Sequence, residues 1–147
     1  MKPVVVLASG VFDLLHYGHV LSLEEAKRIG GKDSRLVVVV ARDSTVKRLK
    51  GKKPIIPEDQ RRALVEALKP VDEAVLGYED LNIEEVLKKI KPDIVTVGYD
   101  QDYVEKAVRK AVFNSGLNIK IIKIQEFPAS DLNSSSKIKR KIIKEWK

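Results

Sequence analysis

Cysteine is absent from this 147-residue chain. That excludes disulfides, cysteine-ligated zinc and a thiol nucleophile. Aromatic residues are scarce, with three Phe, four Tyr and one Trp. None of them interleaves with the lysine clusters, which argues against a single-strand nucleic-acid platform built from stacked rings and cations. Long apolar runs are also missing. The run Pro3 to Ala8 is too short for the core of a secretory signal. No stretch approaches the roughly 20 residues that a membrane-spanning helix needs. A cytoplasmic protein that engages neither membrane nor nucleic acid is therefore expected. The chain has only two histidines.

Those two histidines lie three residues apart, in His16-Tyr17-Gly18-His19. They follow a strand-like apolar run, Val4 to Ala8, and a turn, Ser9-Gly10-Val11-Phe12-Asp13; a helical pattern begins at His19. A strand, a turn and a helix N-terminus make an anion site, because free backbone N–H groups and the helix dipole face the ligand. Imidazoles at that corner add cationic or hydrogen-bonding groups beside the same anion. Gly10 is expected to permit the turn, and Gly18 to let a phosphate approach closely. The ordinary alternative is a capped helix start bearing solvated histidines. A metal pair with Asp13 would still need a further ligand.

Length and a 44% apolar content suit one domain with a single core, and the formal charge of +7 suits an anionic ligand. Five strand candidates occur at 4–8, 36–41, 73–76, 93–97 and 119–124, several of them continuous β-branched runs of the kind buried on both faces. Helices are expected at about 19–29, 57–69, 82–90, 101–115 and 134–146. The last places Ile138, Ile142 and Trp146 on one stripe, with Ser134 or Ser135 as its cap. Strand–helix alternation with short links predicts an α/β fold, a doubly wound five-stranded parallel sheet. Ligands in such sheets bind beyond the strand C-termini, where the strand order switches. Segments 9–19, 42–53, 98–102 and 126–136 should therefore converge. The longest candidate loop, Lys47 to Pro57, carries Lys47, Arg48, Lys50, Lys52 and Lys53. It reads either as a solvated face or as a phosphate clamp led by Lys50 and Lys52. Asp100 reads as a helix cap, as a nucleotide contact, or as both.

The stretch Ser9 to His19 resembles the G-T-F-D-x-x-H-x-G-H signature of the cytidylyltransferase-like nucleotidyltransferases. Val11 stands where that family usually has Thr. The stretch Asn133-Ser134-Ser135-Ser136-Lys137-Ile138-Lys139 resembles the second signature, I-S-S-T-x-I-R, with Lys139 in place of Arg. Further similarity to the archaeal FAD synthases runs through Ala41 to Lys47, Gly51 to Arg62, Leu68 to Asp72 and Ile90 to Gln101.

The resemblance implies one Rossmann-like nucleotidyltransferase domain over 1–147, transferring AMP from ATP to FMN. It implies His16, His19, Lys50 and Lys52 as catalytic residues. Nucleotide-binding residues would be Gly10, Val11, Phe12, Asp13, His16, Tyr17, Gly18, His19, Asp100, Ser134, Ser135, Ser136 and Lys139. A divalent cation, most simply Mg²⁺, would accompany the triphosphate, and a homodimer would match relatives that are commonly dimeric. Two other readings stay open here: CTP with a polyol or sugar phosphate, and a nucleotide- or nucleic-acid-binding module without catalysis.

Overall fold

A computed structural model of the chain describes residues 2–77, 82–126, 132 and 134–146. Strands β1 (Val5–Gly10), β2 (Arg35–Val40), β3 (Glu73–Leu76), β4 (Ile94–Val97) and β5 (Lys120–Lys123) form one sheet in the order β3-β2-β1-β4-β5. Every neighbouring pair is parallel. Helices α1 (Tyr17–Gly30), α2 (Asp43–Lys50), α3 (Glu58–Glu66), α4 (Ile83–Ile90), α5 (Asp102–Ser115) and α6 (Ser135–Glu145) complete the described elements.

Strand alternation divides the core between the two faces of the sheet. Val6, Ala8, Leu36, Val38 and Val40 pack on one face with Leu23 and Ala26 of α1 and Val65 of α3. Leu7, Val37, Val95 and Val97 pack on the other with Leu87 of α4 and Val108 and Ala111 of α5. The sheet is therefore doubly wound. Its order reverses between β1 and β4, so the crevice beyond those two strand ends is the ligand position that this topology favours.

Close helix–sheet packing explains Gly30, the last residue of α1. A Cβ there would lie 2.5 Å from Val6 Cγ2 and 2.6 Å from Ser34 Cβ. Alanine would favour the helix by roughly 1 kcal/mol, but Val6 is itself fully buried and cannot yield cheaply. Overpacking should win. Gly30→Ala is expected to cost about 1–3 kcal/mol, read as a lower urea midpoint with an unchanged slope.

The structure departs from the sequence expectations in several places. Residues 47–50, expected in the long loop, instead end helix α2. Asp43 in the first turn and Lys47, Arg48 and Lys50 in the last complement the dipole, Thr45 and Val46 are buried, and Gly51 closes the helix at φ 82°. The connecting loop is thus only 51–57. Helix α3 ends at Glu66, and Pro57 is its N-cap residue, not its first helical one. Gln101, not Asp100, is the cap residue of α5. Ser134 caps α6, accepting from Lys137 N–H at 3.2 Å. The stripe on α6 is present but stays in solvent, with Ile142 and Trp146 exposed.

Candidate active site

The turn after β1 carries unusual backbone. Phe12 (φ 57°) and Leu14 (φ 51°) both occupy the left-handed region, at roughly 1–2 kcal/mol each for residues bearing a Cβ. Gly10 is not the residue that makes this turn. Its small size serves the Phe12 ring, whose Cε2 would lie 2.9 Å from a Cβ at position 10. The strain is held in place because Phe12 and Asp13 are both buried. Such over-determined conformations gather at functional sites.

This turn delivers His16 to the N-cap of α1 and His19 to its first turn. The two imidazoles stack with centroids 3.7 Å apart, and Phe12 packs against His19 at 5.2 Å. The backbone N–H of His16 donates to His19 Nδ1 at 3.2 Å. Neutral His19 must then carry its proton on Nε2. Burial pushes the His19 pKa down to about 4, with the neighbouring His16 adding to the fall and Asp13 opposing it. Burial also lowers His16, against the pull of Asp100. Near neutral pH the pair therefore offers uncharged N–H donors. Within the chain itself, burial thus favours the hydrogen-bonding form over the cationic one.

Asp13 sits at the centre of the surrounding framework. Its Oδ2 and Oδ1 accept the amides of Ile55 and Ile56, each at 2.9 Å. Lys139 Nζ lies 3.3 Å from Oδ2, and Ser135 Oγ donates to the Asp13 carbonyl. Both carboxylate oxygens are thus engaged within the protein, joining the histidine turn to the 51–57 loop and to the start of α6.

The sequence reading missed Arg61, the largest fully buried side chain among the described residues. Its Nε donates to Ile56 O at 2.8 Å, its NH1 to Val11 O at 2.7 Å and Ala41 O at 2.8 Å, and its NH2 to Asp43 Oδ1 at 2.6 Å. On the other side of the switch point, Gln101 accepts from Gly98 N–H at 2.8 Å and donates to Ser9 O at 3.2 Å. That side chain ties the ends of β4 and β1 together. Asp100 follows at the same strand end, close enough to His16 to act on its charge.

The expected segments converge through these contacts. Gly10, Val11, Phe12, Asp13, His16, Tyr17, Gly18 and His19 form the corner, Ser135 and Lys139 abut it at α6, whose cap is Ser134, and Asp100 borders it at β4. Tyr17 is exposed at the helix start, and Ser136 is exposed on α6. Lys50 ends α2 and Lys52 follows Gly51, both in solvent. A neighbouring cleft of about 650 Å³ is lined by Asp43, Ser44, Lys47, Arg48, Lys53 and Glu58. Lys50 and Lys52 are not among its lining residues. Of the 126–136 segment expected to converge here, residues 127–131 and 133 lie outside the described residues.

The switch point of this doubly wound parallel α/β sheet holds a strained strand–turn–helix corner and two stacked imidazoles. Over residues 7–141 the chain matches the family model described as Cytidylyltransferase-like. The chain belongs to that family and is a nucleotidyltransferase. It is 50% identical over 143 residues to a FAD synthase of Methanopyrus kandleri, covering 97% of this chain and 93% of the relative. A FAD synthase of Aciduliprofundum boonei is 49% identical over 138 residues, covering 94% and 89%. Among solved structures, the lipopolysaccharide core biosynthesis protein of Thermoplasma volcanium GSS1 superposes with a TM-score of 0.75 at 44% identity, covering 84% of this chain and 98% of that one.

Proposed function

We propose that this chain is an FMN adenylyltransferase that transfers AMP from ATP to FMN, giving FAD and pyrophosphate. The observation that carries this reading is near-half identity, over almost the whole chain, to proteins named FAD synthase. A phosphate oxygen of FMN attacks the α-phosphorus of ATP in line. The new P–O bond joins the two nucleotides, and the bond to the β-phosphate breaks with its electrons leaving on pyrophosphate. No protein nucleophile is needed.

The protein's task is to bring two anions together and to stabilise the charge that grows on the α-phosphoryl oxygens and the leaving group. His19 Nε2–H and His16 donate to phosphate oxygens as that charge develops. Being uncharged, they add no electrostatic bias that would bind the ground state tightly. Lys50, Lys52, the Ser134–Ser136 helix start and Lys139 serve the β- and γ-phosphates, and Asp100 serves the ribose or base.

Among the described residues no group of three or more His, Asp or Glu is gathered to hold a metal ion, and Asp13 already spends both oxygens on amides. A divalent cation fits here as part of the nucleotide substrate, carried by its phosphates and water.

The test supplies the purified chain with ATP or CTP, each paired with FMN, glycerol phosphate or a sugar phosphate. Pyrophosphate release and product mass are followed. FAD formed only from ATP and FMN is the expected result. A CDP-linked product instead would move the chain to the cytidylyl branch of the family.

A further inference from the structure

Residues 55 and 56 are gripped from two sides. Asp13 holds both amides, and the buried guanidinium of Arg61 holds the Ile56 carbonyl. The same guanidinium also holds Val11 of the histidine turn, Ala41 beyond β2, and Asp43 at the start of α2. Arg61 reaches this position from the buried face of α3, one turn before Val65, which is also fully buried. One planar fork therefore touches the turn that presents His16 and His19, the loop that carries Lys52 and Lys53, and the helix that carries Lys47, Arg48 and Lys50. Those are the groups that must meet one polyphosphate at the same time.

From this we infer that Arg61 is a positioning residue for nucleotidyl transfer, fixing the distance between the histidine turn and the lysine-bearing segment. The inference rests on the AMP-transfer reading above. Arg61 contacts no substrate in this role; it acts through Val11, Ile56 and Asp43. The fork is essential to it, because five donors in a plane can serve three carbonyls and a carboxylate together, whereas an ammonium has three donors on a single point. If the pocket needed only a buried cation to balance Asp43, lysine would serve as well. Misplacement of reacting groups by about 1 Å costs on the order of 10²-fold in rate.

The experiment compares wild type, Arg61→Lys and Asp43→Asn. FAD formation from ATP and FMN is measured together with amide hydrogen exchange. For R61K the expected result is a kcat lower by about 10²-fold with KM for ATP within about threefold. Exchange at Ile55 and Ile56 should rise at least about tenfold, while Leu7 and Val95 in the central strands keep their protection. D43N, which leaves the three carbonyl contacts in place, should lower kcat by about tenfold and raise exchange at Ile55 and Ile56 by about threefold; it decides the matter if R61K does not fold. Wild-type kcat in a folded R61K, or in D43N should R61K not fold, overturns the inference. So does exchange that rises equally in β1 and β4, which would mark a purely structural residue. If the wild-type chain makes no FAD, the functional reading fails by itself, and the exchange data still report whether Arg61 holds the loop.

Discussion

His19→Ala is expected to lower the turnover of FAD formation by roughly 10²-fold or more, with nucleotide affinity reduced far less; His16→Ala should behave in the same way. The asymmetry follows from the geometry. His19 is fixed by its stack on His16, by the Phe12 ring and by the amide bonded to Nδ1. Its ring is therefore held in one orientation with the proton on Nε2, and a fixed donor contributes most where charge is growing. The same state sets the pH response. Were an imidazolium required, turnover would fall as pH rises through the ordinary histidine value of 6.5. With His19 lowered to about 4, its protonation state does not change between pH 6 and 8, and it should contribute no loss of turnover across that interval. Turnover and equilibrium ATP binding, measured for both variants over that range, check the two statements together. Near-normal turnover in both alanine variants would remove the histidines from the chemistry.

Much of this fold is legible in the sequence because its strands are buried on both faces. The runs around Val6 and Val38 have no polar partner in alternation, the pattern that strands of a parallel sheet covered on both faces show. The histidine corner is legible for a related reason, since strand, turn, helix start and paired imidazoles are local features. Helix α2 is not legible. Six of its eight residues are polar or charged, so its helical period is carried by little more than the buried Thr45 and Val46. Arg61 is hidden for the opposite reason. An arginine in Asp59-Gln60-Arg61-Arg62 reads as solvated, and only the folded chain shows three carbonyls and a carboxylate closing on it. Asp13 could be placed near the phosphate corner, but its tie to residues 55 and 56 spans more than 40 positions and leaves no local trace. The stripe on α6 marks the reverse limit. Helical periodicity is a property of the segment, whereas burial depends on what the rest of the chain brings to it.

Asp13→Asn should be the most damaging single substitution for stability in the site, at about 3–5 kcal/mol. The carboxylate serves two amides and faces Lys139 while itself only 4% exposed. An asparagine amide has one oxygen, so it can accept from one of the two N–H groups and turns its own N–H₂ toward the other. The pH dependence identifies the cause. Burial alone would raise the Asp13 pKa, but the Ile55 and Ile56 amides and then Lys139 outweigh it and hold the carboxyl below its ordinary 3.8. For an acid lowered in the folded state, the stabilisation is fully present above the unfolded value and is lost as pH falls through the folded one. In urea unfolding, the gap between wild type and D13N should therefore stay wide from pH 7 to 5 and narrow below about pH 4. A gap that kept its full width in acid would trace the loss to shape and not to the ionised carboxylate. A loosened 55–56 loop should also lower FAD formation in the folded variant, because Asp13 and Arg61 hold the same two residues.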